Sequence, residues 1–290
     1  MNDPPRRPVF RFAPSPNGRL HLGHAYSALL NAQMAARTDG RFLLRIEDTD
    51  VTRCRPEFEA AIVDDLAWLG LVFPQTPRRQ SEHIDDYARA LASMEARGLV
   101  YPCFCTRSQI ERMSGGLRDP DGAPLHRGAC RAVPAAEGRA ALRLDMARAA
   151  SLLRKSLTWR EYGEGAQETL VEADPAAWGD VILRGKETPA NYHMAVVVDD
   201  SVQGVSDVVR GRDLYHATSI HRLLQELLGL EAPLYRHHRL VRDASGAKMS
   251  KGAQSKPLSA LRERGVAAET VRDALGFGDS QAISLGVTIS

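Results

Sequence analysis

Apolar and polar positions along the first hundred residues switch between two periods. Residues 9–13 form a short apolar run that reads as a strand, and Pro14-Ser15-Pro16-Asn17-Gly18 breaks it. Residues 25–37 are rich in Ala, Leu, Gln and Met, good helix formers, and Gly40 lies just beyond them. Phe42 to Ile46 predicts a buried strand that ends in Glu47-Asp48. Pro56 opens a helix with Phe58, Ile62, Leu66 and Leu69 at helical spacing, and Gly70 stops it. Ile84, Tyr87, Leu91 and Met94 mark another helix, stopped at Gly98. Strand, helix, strand, helix predicts an α/β fold whose parallel sheet is covered by helices.

The pattern changes at Tyr101. Residues 101–188 hold most of the cysteines, a Gly/Pro/Asp-rich loop over 115–128 and short β-like pieces, and are expected to form an inserted subdomain. The α/β pattern resumes over 189–240. There the Ala195-Val-Val-Val198 tail of residues 191–198 reads as a fully buried strand, and a helix follows over about 216–228. Residues 241–290 contain a basic loop and a short region of helical pattern. No internal repeat occurs.

Composition narrows the function classes. Hydrophobic residues make up 43% and charged residues 26%, an ordinary globular mix that disfavours disorder. Basic residues number 38 against 36 acidic ones, so a nucleic-acid surface would be a local patch. Only five lysines occur, which singles out Lys248 and Lys251, three residues apart. No apolar run approaches the roughly 20 residues that span a bilayer. Residues 1–8 carry two arginines with no apolar stretch behind them, unlike a secretory signal. A cytoplasmic protein without membrane association is the expectation. In a reducing compartment, clustered cysteines read as a metal site rather than as disulfides. Cys103-x-Cys105, then 20 residues, then His126-x-x-x-Cys130 is a Cys₃His set suited to closed, tetrahedral structural zinc. Buried cysteines acting as small hydrophobes are the competing explanation. Cys54 lies far away in sequence.

The most informative segment runs from Arg11 to His24, Arg-Phe-Ala-Pro-Ser-Pro-Asn-Gly-Arg-Leu-His-Leu-Gly-His. A strand leads into a proline/glycine turn, and His21 and His24 flank Gly23 where a helix begins. Free amides and a partial positive charge at a helix N-terminus attract phosphate. Imidazoles there can donate to triphosphate oxygens, and Gly23 lets an adenine ring approach the backbone. A capping histidine and a turn glycine explain the short motif equally well. Lys248-Met249-Ser250-Lys251, between Gly246 and Gly252, adds two cations in a loop that can close over a triphosphate and neutralise leaving pyrophosphate. By itself it would be a solvated basic turn. The two segments together, in this order and more than 200 residues apart, point to ATP.

These residues resemble the two signature motifs of class I aminoacyl-tRNA synthetases. Arg11-Phe-Ala-Pro-Ser-Pro, Arg45-Ile-Glu-Asp-Thr-Asp50 and Val209-Arg-Gly-Arg-Asp213 are similar to the glutamyl branch of that family. The resemblance spans about residues 9–255. It implies a Rossmann-like catalytic domain split into 1–100 and 189–240, an insert at 101–188 carrying the zinc, and the lysine loop with a short helical region at 241–290. It also implies that His21, His24, Lys248 and Lys251 are catalytic and that Gly23 belongs to the ATP site with Mg²⁺ alongside. L-Glutamate would be held by Arg11, Ala13, Ser15, Glu47, Tyr192 and Arg210. Guanidinium groups suit carboxylates, and Glu47 at a strand end suits the substrate ammonium. Relatives place tyrosine where His126 stands in the zinc set.

Full-length glutamyl enzymes carry a large anticodon-binding region beyond the lysine loop, whereas about 40 residues follow Lys251 here. The chain therefore resembles the truncated paralogues named glutamyl-Q tRNA(Asp) synthetases. The implied activity is tRNA-independent activation of glutamate, then transfer to queuosine at the wobble position of tRNA(Asp), by a monomer. A minimal enzyme charging the 3′ end of tRNA(Glu) is the alternative. A small-molecule nucleotidyltransferase would not need Arg11, Glu47, Arg210 and the zinc set, and an inactive amino-acid-binding paralogue would not need both signatures. Lys251→Ala is expected to slow adenylate formation while glutamate binding persists.

Overall fold

The computed structural model of the protein describes residues 7–132, 138–163, 167–243, 256–278 and 287–289. In chain order the elements are β1 (Val9–Phe12), α1 (Leu22–Arg37), β2 (Arg41–Ile46), α2 (Pro56–Trp68), β3 (Arg78–Arg79), α3 (Ile84–Ala96), β4 (Val100–Cys103), α4 (Arg107–Ser114), β5 (Ala141–Leu144), α5 (Met146–Ser151), β6 (Thr158–Tyr162), β7 (Glu168–Glu172), β8 (Ile182–Arg184), α6 (Tyr192–Val202), β9 (Asp207–Gly211), α7 (Thr218–Leu228), β10 (Leu234–His238), β11 (Val241–Asp243), α8 (Leu258–Glu263), α9 (Ala268–Ala274) and β12 (Val287–Ile289). The chain divides into two compact units, residues 1–82, 205–213 and 235–290 forming one and residues 83–204 and 214–234 the other.

In the first unit β1, β2 and β3 form a parallel sheet in that order, with Arg11 opposite Leu43 in the β1–β2 register. Parallel neighbours require crossovers, and α1 and α2 supply them. β9 runs beside β1, where the Ser206 amide donates to the Val9 carbonyl at 3.1 Å. Buried Asn31 on α1 donates to the Val209 carbonyl at 3.1 Å and so fixes the helix to β9. The core joins Phe12, Leu20 and Leu22 with Leu44 and Ile46, Ile62 and Leu66 of α2, Val241, Leu258 of α8 and Val271 of α9.

In the second unit β4, β5 and β8 form an antiparallel sheet, and β6 and β7 form a hairpin. Helices α3, α6 and α7 pack together around Tyr87, Leu91, Met194, Val197, Ile220 and Leu224.

Residues 191–198, expected as a buried strand, are a helix. Met194 through Asp200 on α6 are all buried, and the Tyr87 hydroxyl donates to the Asp199 carboxylate at 3.0 Å. The apolar run Met194–Val198 is buried at every position, so it carries no periodicity that separates a helix from a buried strand. Packing against α3 and α7 overrides the β preference of three consecutive valines. The C-terminal region contains the expected helices, α8 and α9, and also β12, which pairs antiparallel with β11. Among the described residues, no helix is long and apolar enough to cross a membrane.

Candidate functional site

The chain leaves β1 at the C-terminal edge of the parallel sheet, turns through Pro14 to Leu20 and enters α1. That edge is where ligands bind in open α/β sheets. His21 is the N-cap of α1, and its Nδ1 accepts the Gly23 amide at 3.1 Å. His24 answers it, its Nδ1 accepting the His21 amide at 3.2 Å. The result is a capping box built from two imidazoles, their centroids 3.8 Å apart. With Nδ1 of each ring committed as an acceptor, the neutral rings carry their proton on Nε2. Gly23 makes the arrangement possible, because a Cβ there would meet Cε1 of His21 at 3.0 Å. The capping explanation and the phosphate explanation are thus compatible: capping fixes the tautomer that a phosphate site needs.

Lys248 and Lys251 lie outside the described residues. The segments on either side of residues 244–255 are described, and both reach the start of α1. Before it, β11 packs on α1, with Val241 in the same core cluster as Leu20 and Leu22. After it, the Leu258 amide donates to the Leu20 carbonyl at 2.8 Å, and His21 and Pro257 form an antiparallel bridge. Arg19 also donates to Ser259 Oγ at 3.3 Å.

Five of the six residues assigned to glutamate, Arg11, Ala13, Ser15, Glu47 and Arg210, sit in this first unit. Arg11 on β1 and Arg210 on β9 are buried, although both are cationic. Arg210 Nε donates to Nε2 of His237 at 3.1 Å, and its guanidinium lies 5.3 Å from the Tyr235 ring centroid. Ser15 Oγ lies 3.7 Å from the Cys54 sulfur, and the Ala13–Pro16 turn is tied down where the Glu47 and Arg55 amides donate to Pro14 and Pro16 at 3.0 Å each. Glu47 Oε1 pairs with the fully buried Arg45 at 3.2 Å. Asp48 accepts from Ser81 through its amide and hydroxyl, and Asp50 holds Thr52 and Arg53, so the three acids of this motif have separate roles. Tyr192 belongs to the second unit, as the first residue of α6, with ring centroids 5.5 Å from His193 and 5.7 Å from His221.

Also in the second unit, Cys103, Cys105, His126 and Cys130 converge, with all four ligand atoms within 4.8 Å of one another. Cys103 Sγ lies 3.6 Å from Cys130 Sγ, and His126 Nε2 lies 3.4 Å and 3.7 Å from the sulfurs of Cys130 and Cys103. Tetrahedral zinc with Zn–S near ~2.3 Å and Zn–N near ~2.0–2.1 Å has S···S edges of about 3.75 Å and S···N edges of about 3.5 Å. The edges among Cys103, Cys130 and His126 have these lengths, Cys105 lies within 4.8 Å of each, and the cluster can hold a metal ion. Burial, with Arg143 and Arg131 nearby, lowers the His126 imidazole to about 4, which keeps it neutral as a ligand must be. Burial raises Cys103, but the Cys105 backbone and Arg143 outweigh it, and the net shift is downward. Burial pushes Cys130 up to about 12.

Sequence reasoning missed what holds His126. Tyr101 Oη lies 3.2 Å from His126 Nδ1 and donates to Asp180 Oδ2 at 2.7 Å. Asp180 also accepts Arg131 at 2.8 Å and the Met146 amide at 3.0 Å. Gly179, at φ 58°, lets the chain pass so close to the His126 carbonyl that a Cβ would sit 2.3 Å from it. A Tyr and an Asp 79 residues apart give no local signal in the sequence.

Residues 9–278 match the family described as tRNA synthetases class I (E and Q), catalytic domain. The chain belongs to that family. It is accordingly an enzyme of the ligase class, and its parallel sheet and helices are the class I catalytic fold. A protein named glutamyl-Q tRNA(Asp) synthetase from Rhodobacter capsulatus is 41% identical over 285 residues, covering 93% of this chain and all of that one. Glutamate–tRNA ligase 2 of Syntrophus aciditrophicus is 36% identical over 93% of this chain, which spans 57% of that protein. Among solved structures, a glutamate tRNA ligase from Elizabethkingia meningosepticum in complex with its amino acid aligns with TM-score 0.74 and 25% identity, over 93% of this chain and 60% of that one.

Proposed function

We propose that this enzyme activates L-glutamate with ATP and transfers it to queuosine at the wobble position of tRNA(Asp), in the cytoplasm. The observation that carries the proposal is the end-to-end match with a glutamyl-Q tRNA(Asp) synthetase, taken with the double-imidazole N-terminus of α1. In the first step a glutamate α-carboxylate oxygen attacks the α-phosphorus of ATP in line. The bond to the bridging oxygen breaks, pyrophosphate leaves, and glutamyl-adenylate forms. His21 and His24 offer Nε2–H donors to phosphate oxygens whose charge grows in that transition state. Gly23 and the first amides of α1 add their partial positive charge. Lys248 and Lys251 are assigned to the departing pyrophosphate. Mg²⁺ bound with ATP would screen phosphate charge.

Arg11 and Arg210 are assigned to the glutamate carboxylates, with Ala13 and Ser15 in the same unit; Tyr192 is assigned to the substrate by the family resemblance alone. Glu47, paired with Arg45, is assigned to the ammonium. In the second step a hydroxyl of the queuosine cyclopentene ring attacks the activated acyl carbon. AMP leaves and takes up the electron pair, while the hydroxyl proton passes to phosphate or solvent. The Cys₃His cluster is proposed to hold one structural zinc ion, with no open position for chemistry.

Incubation with radiolabelled glutamate, ATP and unfractionated tRNA, which contains both tRNA(Asp) and tRNA(Glu), tests this reading. Label is expected on queuosine-containing tRNA and at background on queuosine-free tRNA; equal labelling of both would favour the minimal tRNA(Glu)-charging alternative. Adenylate formation, read by glutamate-dependent pyrophosphate exchange, should need no tRNA.

His21 separates capping from chemistry. His21→Ala is expected to cost about 1 kcal/mol in chemical denaturation, the usual loss of an N-cap. His21→Ser should restore stability, since serine caps well, yet leave exchange as slow as in the alanine variant. Recovery of the rate with serine would remove the imidazole from the chemistry.

A further inference from the structure

Asp65 lies on α2 with its side chain wholly buried, and neither carboxylate oxygen accepts a hydrogen bond among the described residues. Its nearest cation is Arg262 of α8, Nη1 to Oδ1 at 3.7 Å, and Arg262 is about one-third exposed. Arg19, in the turn before His21, also acts on the carboxylate by charge, and the one like charge facing it is neighbouring Asp64. Fold stability does not account for such a group. Buried acids without hydrogen bonds are costly, and a neutral side chain of the same shape would be cheaper.

The position of its cations suggests a use. Arg19 and Ser259 hydrogen-bond each other, Leu258 bonds Leu20, and Pro257 bridges His21. These contacts form a seam between the turn that carries His21 and the segment that follows the loop of Lys248 and Lys251. Arg19 stands on one side of the seam and Arg262 on the other.

We propose that Asp65 is a positioning residue whose ionised carboxylate draws Arg19 and Arg262 together and so sets how residues 257–262 sit against the turn that carries His21. This rests on the assignment of His21, Lys248 and Lys251 to ATP. Asp65 touches no substrate and acts only through the two arginines.

The ionisation state makes the idea testable. Burial raises the Asp65 carboxyl from its ordinary value near 4 to about 6. A raised carboxyl takes up a proton on folding between those values. Stability contributed by the protonated form is therefore present below about 4 and lost as pH rises to about 6. Above that, the fold carries the charge at a cost. Asp65→Asn copies the protonated form, so it should raise the melting temperature at pH 7.5 and lose that gain near pH 4.

Activity should move the other way. Glutamate-dependent pyrophosphate exchange by Asp65→Asn at pH 7.5 is expected to show kcat/KM for ATP lowered roughly fivefold, with KM for glutamate unchanged. The ratio of wild type to variant should shrink towards one as pH falls to 5. Arg262→Gln should produce a similar loss, and the double variant no more than either single one. Equal kinetics at every pH, a variant that melts lower and is slower in proportion, or additive losses would each overturn the proposal. If wild-type enzyme shows no glutamate-dependent exchange, the ATP assignment fails instead.

Discussion

Arg210→Ala is expected to lower kcat/KM for glutamate in pyrophosphate exchange by roughly 30- to 4,000-fold, the equivalent of losing about 2–5 kcal/mol from a buried charge contact. Arg210 is only 5% exposed, lies on β9 beside β1, and is fixed through Nε to His237 and across the Tyr235 ring. Its guanidinium is therefore oriented before substrate arrives, and little entropy is lost on binding. A contact to a substrate carboxylate exists in ground and transition states alike, so the loss should fall mainly on KM. Arg210→Lys should recover only part, because an ammonium cannot reproduce the two-pronged geometry. Arg11→Ala is expected to behave in the same way, since Arg11 is equally buried on the adjacent strand. Glutamine provides the control. If Arg210 faces the side-chain carboxylate, its removal narrows the preference for glutamate over glutamine; if it faces the α-carboxylate, both amino acids weaken together. Unchanged kinetics with both would remove Arg210 from the site.

The first half of the sheet was legible because each signal is local. Pro14 to Gly18 breaks a strand, Pro56 starts a helix and Gly70 ends it, and β1, α1, β2 and α2 follow within a few residues of those marks. α6 was not legible. Its identity depends on α3 and α7, which surround it, and the run Ala195–Val198 alone fits either state. Gly23 stands out in the sequence as room for an adenine ring, whereas only the folded His21 ring shows what a Cβ would strike. The four Cys/His residues announce themselves by spacing, yet Tyr101 and Asp180 do not. Asp65 was the least legible residue of all. Beside Asp64 on a helix it reads as part of a solvated face, and its ion-pair partner, Arg262 on α8, comes nearly 200 residues later.

Removing metal from the Cys₃His cluster is expected to lower the melting temperature by roughly 6–16 °C. A ligand bound only by the folded state contributes about 2.7 kcal/mol at 100 times its Kd and about 4.1 kcal/mol at 1,000 times. For a chain of this size each kcal/mol is worth roughly 2–4 °C. Freshly purified protein should contain one zinc ion, and a strong chelator should produce the shift. Cys103→Ser and His126→Ala should produce it without chelator, while pyrophosphate exchange at low temperature changes less than stability does. Cys54→Ser serves as the control, because Cys54 lies in the other unit beside Ser15. Tyr101→Phe is the sharper variant. It keeps the ring and all four ligands but removes the hydroxyl that links His126 Nδ1 to Asp180, and loss of such an outer partner typically weakens metal binding about 10- to 100-fold. That loss is expected to appear as faster zinc release to a chelator. In the structure His126 Nδ1 accepts the Gly128 amide at 3.1 Å. Zinc on Nε2 moves the imidazole proton to Nδ1, and the loss is expected only if Nδ1–H then donates to Tyr101 Oη. A Tyr101→Phe protein that holds zinc as tightly as wild type would remove Tyr101 as the group that orients His126, full zinc retention by His126→Ala would mean that His126 is not the fourth ligand, and a zinc-free wild-type protein would mean that the three cysteines serve only as buried side chains.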